Sequence, residues 1–120
     1  MYLQKINLKN KYALVTGAGK GLGRACSLAL AEAGATVIVL SRTMSDLNKL
    51  EKDFKKIKGK LIKVHCDVMN YKELQDKLKK IKIIDILINN AGSNIPEPFE
   101  KIKQDSMNYL VDLNLKAAFN

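Results

Sequence analysis

The 120-residue chain has few cysteines and no long apolar run. Its two cysteines, Cys26 and Cys66, lack the spacing of a metal site, so we expect no bound metal and two buried thiols in a reducing compartment. No apolar run approaches the length of a membrane span, and the first residues lack the apolar core of a signal peptide. These absences predict a cytoplasmic protein without a membrane partner.

Arginine and acidic residues are also scarce, and lysine supplies almost all of the formal net charge of +9. The only arginines are Arg24 and Arg42. The lysines are spread along predicted helices, with little aromatic interleaving and no basic block, which is typical of solvated helix faces. We therefore expect no nucleic-acid partner, although a lysine-rich nucleic-acid binder stays as the weakest alternative.

Apolar runs and helix-forming stretches alternate along the whole chain. They predict strands over 11–16, 36–40, 61–66 and 83–88, and helices over 21–33, 45–58, from about 71, and 104–119. Strands that alternate with helices indicate one α/β domain, a doubly wound parallel sheet of the Rossmann type with about four strands and four helices. Asn70, with Glu73 three residues later, predicts a capping box at the start of the third helix.

The helices carry stripes that predict which face is buried. In the second helix, an apolar stripe at spacings of three and four consists of Leu47, Leu50, Phe54 and Ile57. In the first helix, the small residues Ala25, Ala29 and Ala33 predict a face that lies close to the sheet. In the fourth helix, the predicted apolar side consists of Met107, Val111, Leu115 and Ala118.

A glycine-rich stretch, Thr16 to Gly23, lies between the first strand and the first helix and reads TGAGKGLG. Glycines permit a tight turn and a close approach of backbone to a pyrophosphate, and the N-terminus of the next helix can hold the anion. A strand, a glycine turn and a helix in this order predict a dinucleotide site.

Further motifs follow in the order of one known family. TGAGKGLG fits the pattern TGxxxGxG, and the sequence has Asp67-Val68 after the third strand, Asn89-Asn90-Ala91-Gly92 after the fourth, and Asp112-Leu113-Asn114-Leu115 in the fourth helix. Together they resemble the N-terminal part of the short-chain dehydrogenase/reductase family, especially its L-xylulose/carbonyl and 3-oxoacyl-carrier-protein reductase groups. The resemblance implies hydride transfer between a nicotinamide cofactor and a carbonyl or alcohol substrate.

The resemblance also implies a role for each matching residue. Asp67 is expected to accept a hydrogen bond from the adenine amino group, and Asn114 is expected to be catalytic by helping to hold a water in the proton relay. Asp67 and Asn90 can instead satisfy turn backbone, and Asn114 can be a core asparagine with satisfied hydrogen bonds. The other expected cofactor-binding residues are Gly17, Gly19, Gly21, Leu22 and Gly23 in the turn, Val68 beside the adenine, and Asn90, Ala91 and Gly92 near the ribose.

The end of the second strand predicts the type of cofactor. NAD-preferring sites place a carboxylate there, whereas this chain has Ser41 followed by Arg42. Arg42 can pair with a 2′-phosphate, and Lys20 in the glycine turn can reach the same group. We therefore expect NADP rather than NAD.

The family's catalytic Ser and Tyr-x-x-x-Lys are not found, because no tyrosine of this chain has a lysine four residues later. We therefore interpret residues 1–120 as the cofactor-binding N-terminal portion of a single domain, inactive alone, with an apolar sheet edge left open at the fourth strand. The family resemblance implies a homo-oligomer for the longer form. A non-catalytic NADP(H)-binding or sensor module is the alternative.

Overall fold

A computed structural model of the chain describes residues 5–57 and 59–120, which form one four-stranded sheet with helices packed on it. The strands are β1 (Tyr12–Thr16), β2 (Thr36–Ser41), β3 (Lys60–His65) and β4 (Ile86–Ile88). The helices are α1 (Gly21–Glu32), α2 (Met44–Phe54), α3 (Tyr71–Leu78), α4 (Gln104–Val111) and a final turn, α5 (Ala117–Phe119). The alternation of strands and helices is confirmed.

The sheet has the order β3-β2-β1-β4, and every neighbouring pair is parallel. The chain passes outward from β1 through β2 to β3 and then crosses back to place β4 on the other side of β1. This reversal is the topological switch point of a doubly wound sheet. The predicted fold class is therefore confirmed.

One apolar cluster covers each face of the sheet. On one face, Val15, Val37 and Val39 pack against α1 and α2 through Ala31, Leu47, Leu50 and Phe54. On the other face, Leu14, Ile38, Leu40 and Val64 pack with Leu74 of α3 and Leu113. Alternate residues of β1 and β2 thus enter opposite cores, which explains why these strands are apolar throughout.

The face of α1 that meets the sheet differs from the prediction. Gly23, Ser27 and Ala31 are buried, whereas Ala25 and Ala29 are exposed. Ser27 can lie in the core because its hydroxyl donates to the carbonyl oxygen of Gly23 at 2.8 Å. The alanine stripe did not predict the buried face of α1, because the hydrogen bond within the helix lets Ser27 occupy a buried position.

The fourth helix also turns a different side inward. Met107, Val111 and Leu115 are 47%, 40% and 55% exposed, so the predicted apolar side is wrong. The residues that meet the core are Tyr109, Leu113 and Ala117, in a helix that widens to a π-helical segment over Asp112–Lys116. Both stripes repeat every four residues and both are largely apolar, so periodicity alone cannot distinguish them.

Two elements are shorter than predicted. The helix α2 ends at Phe54 and is followed by a turn, although 45–58 was predicted; residue 58 lies outside the described residues. The predicted strand 83–88 pairs only over Ile86–Ile88. Its first residues pass beyond the start of β1, so Ile83 and Ile84 have no strand beside them. At this point the Asp85 amide donates to the carbonyl oxygen of Tyr12, and the Tyr12 amide donates to the Asp85 carboxylate. At α3 the predicted N-cap is confirmed, since the Asn70 side chain accepts from the Glu73 amide. The reciprocal bond of a capping box is not formed, because the Glu73 carboxylate accepts from the Nδ2 of Asn70 and the Asn70 backbone amide donates to the carbonyl oxygen of Asp67.

Candidate functional site

A cavity of about 230 Å³ lies at the carboxyl ends of the strands, beside the switch point between β1 and β4. Ligands of open α/β sheets bind in this position. Most of the predicted cofactor residues line it: Gly17, Gly19, Lys20, Ser41, Arg42, Asp67, Val68, Ala91 and Gly92. Gly21, Leu22, Gly23, Asn90 and Asn114 are not among its lining residues.

The glycine turn packs directly on the loop that follows β4. Gly17 has a φ of +60°, and a Cβ at this position would lie 2.8 Å from the Cα of Ala91. A Cβ on Gly23 would overlap the carbonyl oxygen of Gly17 and the side-chain amide of Asn90. The backbone of the turn can approach this closely only because both positions lack side chains.

Thr16 and Asn90 tie the turn to the β4 loop. The Oγ1 of Thr16 accepts from the backbone amides of Asn90 and Ala91, each at 3.0 Å. The Nδ2 of Asn90 donates to the carbonyl oxygens of Thr16 at 3.2 Å and Gly17 at 3.1 Å. Asn90 therefore acts on the shape of the turn without lining the cavity. Sequence reasoning missed Thr16, although it opens the glycine motif.

The N-terminus of α1 is open to an anion. Its N-cap is Lys20, which makes no side-chain capping bond within the described ranges 5–57 and 59–120, and its first turn has no acidic residue. The first amides of a helix lack intrahelical partners and carry positive partial charge. Gly21 and Leu22 are exposed at this end, with Leu22 78% accessible. A phosphate group fits this arrangement.

The end of β2 provides a cation and a hydroxyl. Ser41 is buried, and its Oγ accepts from the Thr43 amide at 3.1 Å. Arg42 is exposed, and its Nη1 donates to the hydroxyl of Tyr109 at 3.3 Å. These two residues hold the position where a carboxylate would mark an NAD site, as the sequence predicted.

Asp46 of α2 brings a carboxylate to the same cavity, which the sequence did not predict. Its side chain is buried, and its Oδ2 lies 3.7 Å from the Nζ of Lys20, whose side chain is 81% exposed. A Cβ on Gly19 would lie 2.9 Å from the Cβ of Asp46 and 2.8 Å from the Oγ of Ser41. The absence of a side chain at Gly19 therefore lets α2 and β2 close on the turn.

Asp67 and Val68 form the wall after β3. The Oδ1 of Asp67 accepts from the amide of Met69 at 2.9 Å. This bond satisfies the backbone of the turn, which is the alternative role of Asp67 given by the sequence. Val68 is buried. Cys66, beside them, is buried and donates its thiol to the carbonyl oxygen of Asp67 at 3.3 Å. Burial raises the pKa of this thiol, and the nearby carboxylate of Glu73 adds to the effect. Cys26, by contrast, is only half-buried.

Asn114 lies in the π-helical segment and holds the loop after β4. Its Oδ1 accepts from the Ser93 amide at 3.0 Å, and its Nδ2 donates to the carbonyl oxygens of Ser93 at 3.0 Å and Leu110 at 2.9 Å. It lines a separate small cavity of about 40 Å³ together with Thr16 and Asn89. Its side chain is thus committed to backbone atoms.

Residues 5–57 and 59–120 contain no group of three or more His, Cys, Asp or Glu side chains that could hold a metal ion. No helix in the same residues has the length and apolarity needed to cross a bilayer.

Comparison with known proteins identifies relatives over most of the chain. L-xylulose reductase of Mesocricetus auratus is 34% identical over 112 residues, which are 93% of this chain and 44% of that protein. The 3-oxoacyl-(acyl-carrier-protein) reductase of Thermotoga maritima is 30% identical over 119 residues, which are 96% of this chain and 48% of that protein. The chain thus spans a little under half the length of these curated relatives.

Solved structures agree with these relatives. A short-chain type dehydrogenase/reductase of Mycobacterium marinum superposes with a TM-score of 0.90 at 29% identity, over 99% of this chain and 50% of that one. A protein assigned as an NAD(P) dependent gluconate 5-dehydrogenase of Beutenbergia cavernae, with NADP bound at low occupancy, has a TM-score of 0.85 at 29% identity, over 95% and 47% of the two chains. The profile of the short chain dehydrogenase family matches residues 11–120, and the chain therefore belongs to that family.

Proposed function

We propose that this chain forms the cofactor-binding part of an NADP(H)-dependent oxidoreductase that acts on a carbonyl or alcohol substrate. Its relatives are named as reductases and dehydrogenases, which supports redox chemistry. The bound cofactor would supply hydride exchange at its nicotinamide ring. The residues of this chain would bind and orient that cofactor.

The cavity fits a dinucleotide. Because Gly17, Gly19 and Gly23 lack side chains, the turn packs closely on the β4 loop, β2 and α2, while a Cβ placed on Gly21 would have no atom of the described residues within 4 Å apart from its chain neighbours and its own helix backbone. This leaves the turn backbone accessible to a pyrophosphate at the start of α1. The amides of Gly21 and Leu22 at the uncapped start of α1 are available to its oxygens. Asp67 keeps one carboxylate oxygen beyond its bond to Met69, and this oxygen is suited to accept from an adenine amino group.

The β4 loop would shape the ribose and nicotinamide side of the site. Asn90 holds the glycine turn through two carbonyl oxygens, while Ala91 and Gly92 line the cavity. Asn114 fixes Ser93 through both of its backbone polar groups. We therefore propose that Asn114 first serves to position this loop, and that its role in a proton relay is exerted from that position.

The observation that carries the NADP preference is the pair of cations at the mouth of the cavity, without an acid at the end of β2. Lys20 and Arg42 both line the cavity, and Ser41 takes the place of the NAD-type carboxylate. Within the described residues, Arg42 has no ion pair, whereas Lys20 is 3.7 Å from Asp46. The guanidinium of Arg42 is thus the charge most available to a 2′-phosphate.

The proposal extends to the parts of the enzyme that this stretch does not contain. The substrate-orienting Ser and the Tyr-x-x-x-Lys of the family would lie outside residues 1–120, so this single-domain portion would bind nucleotide without turning over a carbonyl compound. A homo-oligomeric longer form and a cytoplasmic location, both expected from the sequence, belong to the same proposal.

The preference is tested by Arg42→Asp, which replaces the cation with the carboxylate typical of NAD sites. We expect NADP⁺ to bind at least about tenfold more weakly, because a charged hydrogen bond is lost and a repulsion is added. NAD⁺ should bind as well as before or better, since a carboxylate can accept from the ribose hydroxyls. Isothermal titration calorimetry with both nucleotides measures the two affinities.

A matched control for this charge reversal is Lys49→Asp, because Lys49 is exposed on α2 and does not line the cavity. It changes the net charge in the same direction, but salt screens a charge outside the cavity, so both affinities should fall only slightly and their ratio should stay nearly constant. An unchanged ratio of NADP⁺ to NAD⁺ affinity in Arg42→Asp would refute the proposed preference.

A further inference from the structure

Arg42 is linked to the far side of the cofactor cavity by a single side chain of α4. Its Nη1 donates to the hydroxyl of Tyr109 at 3.3 Å, across 67 positions of sequence. The half-buried Tyr109 packs on the core cluster that contains Val68 and Leu113, two residues that also line the cavity. The hydroxyl therefore stands on a fixed ring beside the adenine end of the site.

The backbone of Arg42 is held independently of that contact. The Nε2 of His65 lies 2.9 Å from the carbonyl oxygen of Arg42 and, as the protonated nitrogen, donates to it. The two neighbours of Arg42 in the sequence are also joined, since the Oγ of Ser41 accepts from the Thr43 amide. The exposed side chain is therefore the part of Arg42 that still has rotamer freedom to lose.

We infer that Tyr109 is a positioning residue that presets the Arg42 guanidinium for a 2′-phosphate. This inference rests on the NADP preference proposed above. With Nη1 engaged by the tyrosine, Nη2 and Nε make no hydrogen bond to another residue of the ranges 5–57 and 59–120, and these two donors can bond two oxygens of one phosphate. Restricting the side chain before the ligand arrives lowers the entropy that binding must remove.

The effect is confined to ligands that carry the 2′-phosphate. A nucleotide with a free 2′-hydroxyl presents no anion to the guanidinium. Holding Arg42 in place therefore does not raise the affinity for such a nucleotide. Within the described residues, the hydroxyl of Tyr109 is hydrogen-bonded only to Arg42, and Tyr109 is not itself a lining residue of the cavity. Its contribution should therefore vanish when Arg42 loses its guanidinium.

The test uses two probes that differ only in the phosphate, adenosine 2′,5′-bisphosphate and adenosine 5′-monophosphate, titrated calorimetrically into the full chain. Tyr109→Phe removes the hydroxyl and keeps the packed ring. We expect it to weaken the bisphosphate by about two- to tenfold, as for the loss of one hydrogen bond, and to leave the monophosphate unchanged. Tyr71→Phe is the matched control, since Tyr71 is an exposed tyrosine on α3 outside the cavity, and it should change neither affinity.

A double-mutant cycle with Arg42→Ala separates positioning from a general loosening of α4. In the Arg42→Ala background, Tyr109→Phe should no longer alter the ratio of the two affinities. A ratio unchanged by Tyr109→Phe in the native background overturns the inference, and so does an equal change of the ratio in both backgrounds.

The same measurements distinguish this failure from failure of the NADP proposal. If Arg42→Ala lowers the affinity for the bisphosphate alone while Tyr109→Phe does not, the cation has its proposed role and only the positioning by Tyr109 is refuted. If Arg42→Ala leaves the ratio unchanged, the 2′-phosphate site at Arg42 is refuted, and the inference about Tyr109 is refuted with it.

Discussion

The segment from β1 to α2 and the segment from β4 to α5 differ in how far their large apolar side chains are buried. In the first, Ile38, Leu47 and Leu50 are fully buried. In the second, Leu87, Leu115 and Phe119 are more than half exposed, and Leu113 is the one apolar side chain classed as buried from residue 86 to 120, all of which the structure describes. The first segment is thus stabilised by apolar burial, whereas the second contributes less buried apolar surface and is also tied to the first by the pairing of β4 with β1 and by hydrogen bonds at the site.

The largest difference in stability between the two segments is expected when one leucine in each is replaced by alanine. Leu47→Ala on α2 should lower the free energy of unfolding by about 3 kcal/mol, because it leaves a cavity in a closed core. Leu115→Ala should lower it by less than about 0.5 kcal/mol, since the side chain is already 55% exposed. Urea unfolding followed by circular dichroism measures both.

Equal losses in the two leucine variants would contradict the comparison. They would mean that the side of the last helix with Met107, Val111 and Leu115 is covered by another surface in solution. Repeating the Leu115→Ala measurement over a range of protein concentrations checks whether that surface is a second copy, because a dimer makes stability depend on concentration.

The link between the segments gives the second test. Thr16→Val removes the oxygen that accepts from the amides of Asn90 and Ala91, and it should lower the free energy of unfolding by about 2 kcal/mol. Thr36→Val is the control on β2: this half-buried threonine makes no side-chain hydrogen bond within residues 5–57 and 59–120, so the change should stay within about 0.5 kcal/mol. Similar losses in the two variants would refute the proposed tie.

The same contrast explains how far the sequence predicted the structure. The continuous apolar runs of β1 and β2 and the stripe of Leu47, Leu50 and Phe54 predicted their burial correctly, because one pattern dominates there. In the last helix two equally spaced stripes compete, and only the packing of Tyr109, Leu113 and Ala117 on the sheet decides between them. Local periodicity predicts a face only where the alternative face is polar.

The site shows the same limit. Gly17, Asp67 and Ala91 of the family motifs line one cavity together with Ser41, because each lies at or just after the carboxyl end of a strand at the same edge of the sheet. Their role in cofactor binding stays a prediction. Thr16, Asp46 and Tyr109 were missed, since their roles come from contacts between distant elements. The glycine motif includes Thr16, but the motif alone does not show that this side chain holds the loop after another strand.

Asn114 gives a smaller test, in the segment that depends on hydrogen bonds. Asn114→Ala removes the bonds to both backbone polar groups of Ser93 and should cost about 1 kcal/mol, because the group is exposed. The sharper measurement is amide hydrogen exchange, in which the Ser93 amide should lose protection. Asn114→Asp keeps an oxygen that can accept from this amide and should retain more of the protection. Unchanged exchange in Asn114→Ala would exclude this asparagine as the residue that holds the loop.

The smallest expected effect lies on the surface between α2 of the first segment and β3, where a charge pair adds little to a core that is already closed. The Nζ of Lys63 lies 2.8 Å from the Oε2 of Glu51, and this hydrogen bond with its attraction holds the pKa of Glu51 below the ordinary value of 4.5. A carboxyl group with a lowered pKa stabilises the folded state above its unfolded pKa, and this contribution disappears as the pH falls through the lowered value. Urea midpoints of the native chain and Glu51→Gln should therefore differ slightly at pH 7 and converge below about pH 4. Lys63→Met should reproduce this convergence from the other partner; midpoints that stay parallel across the whole range would show that the pair contributes nothing to stability.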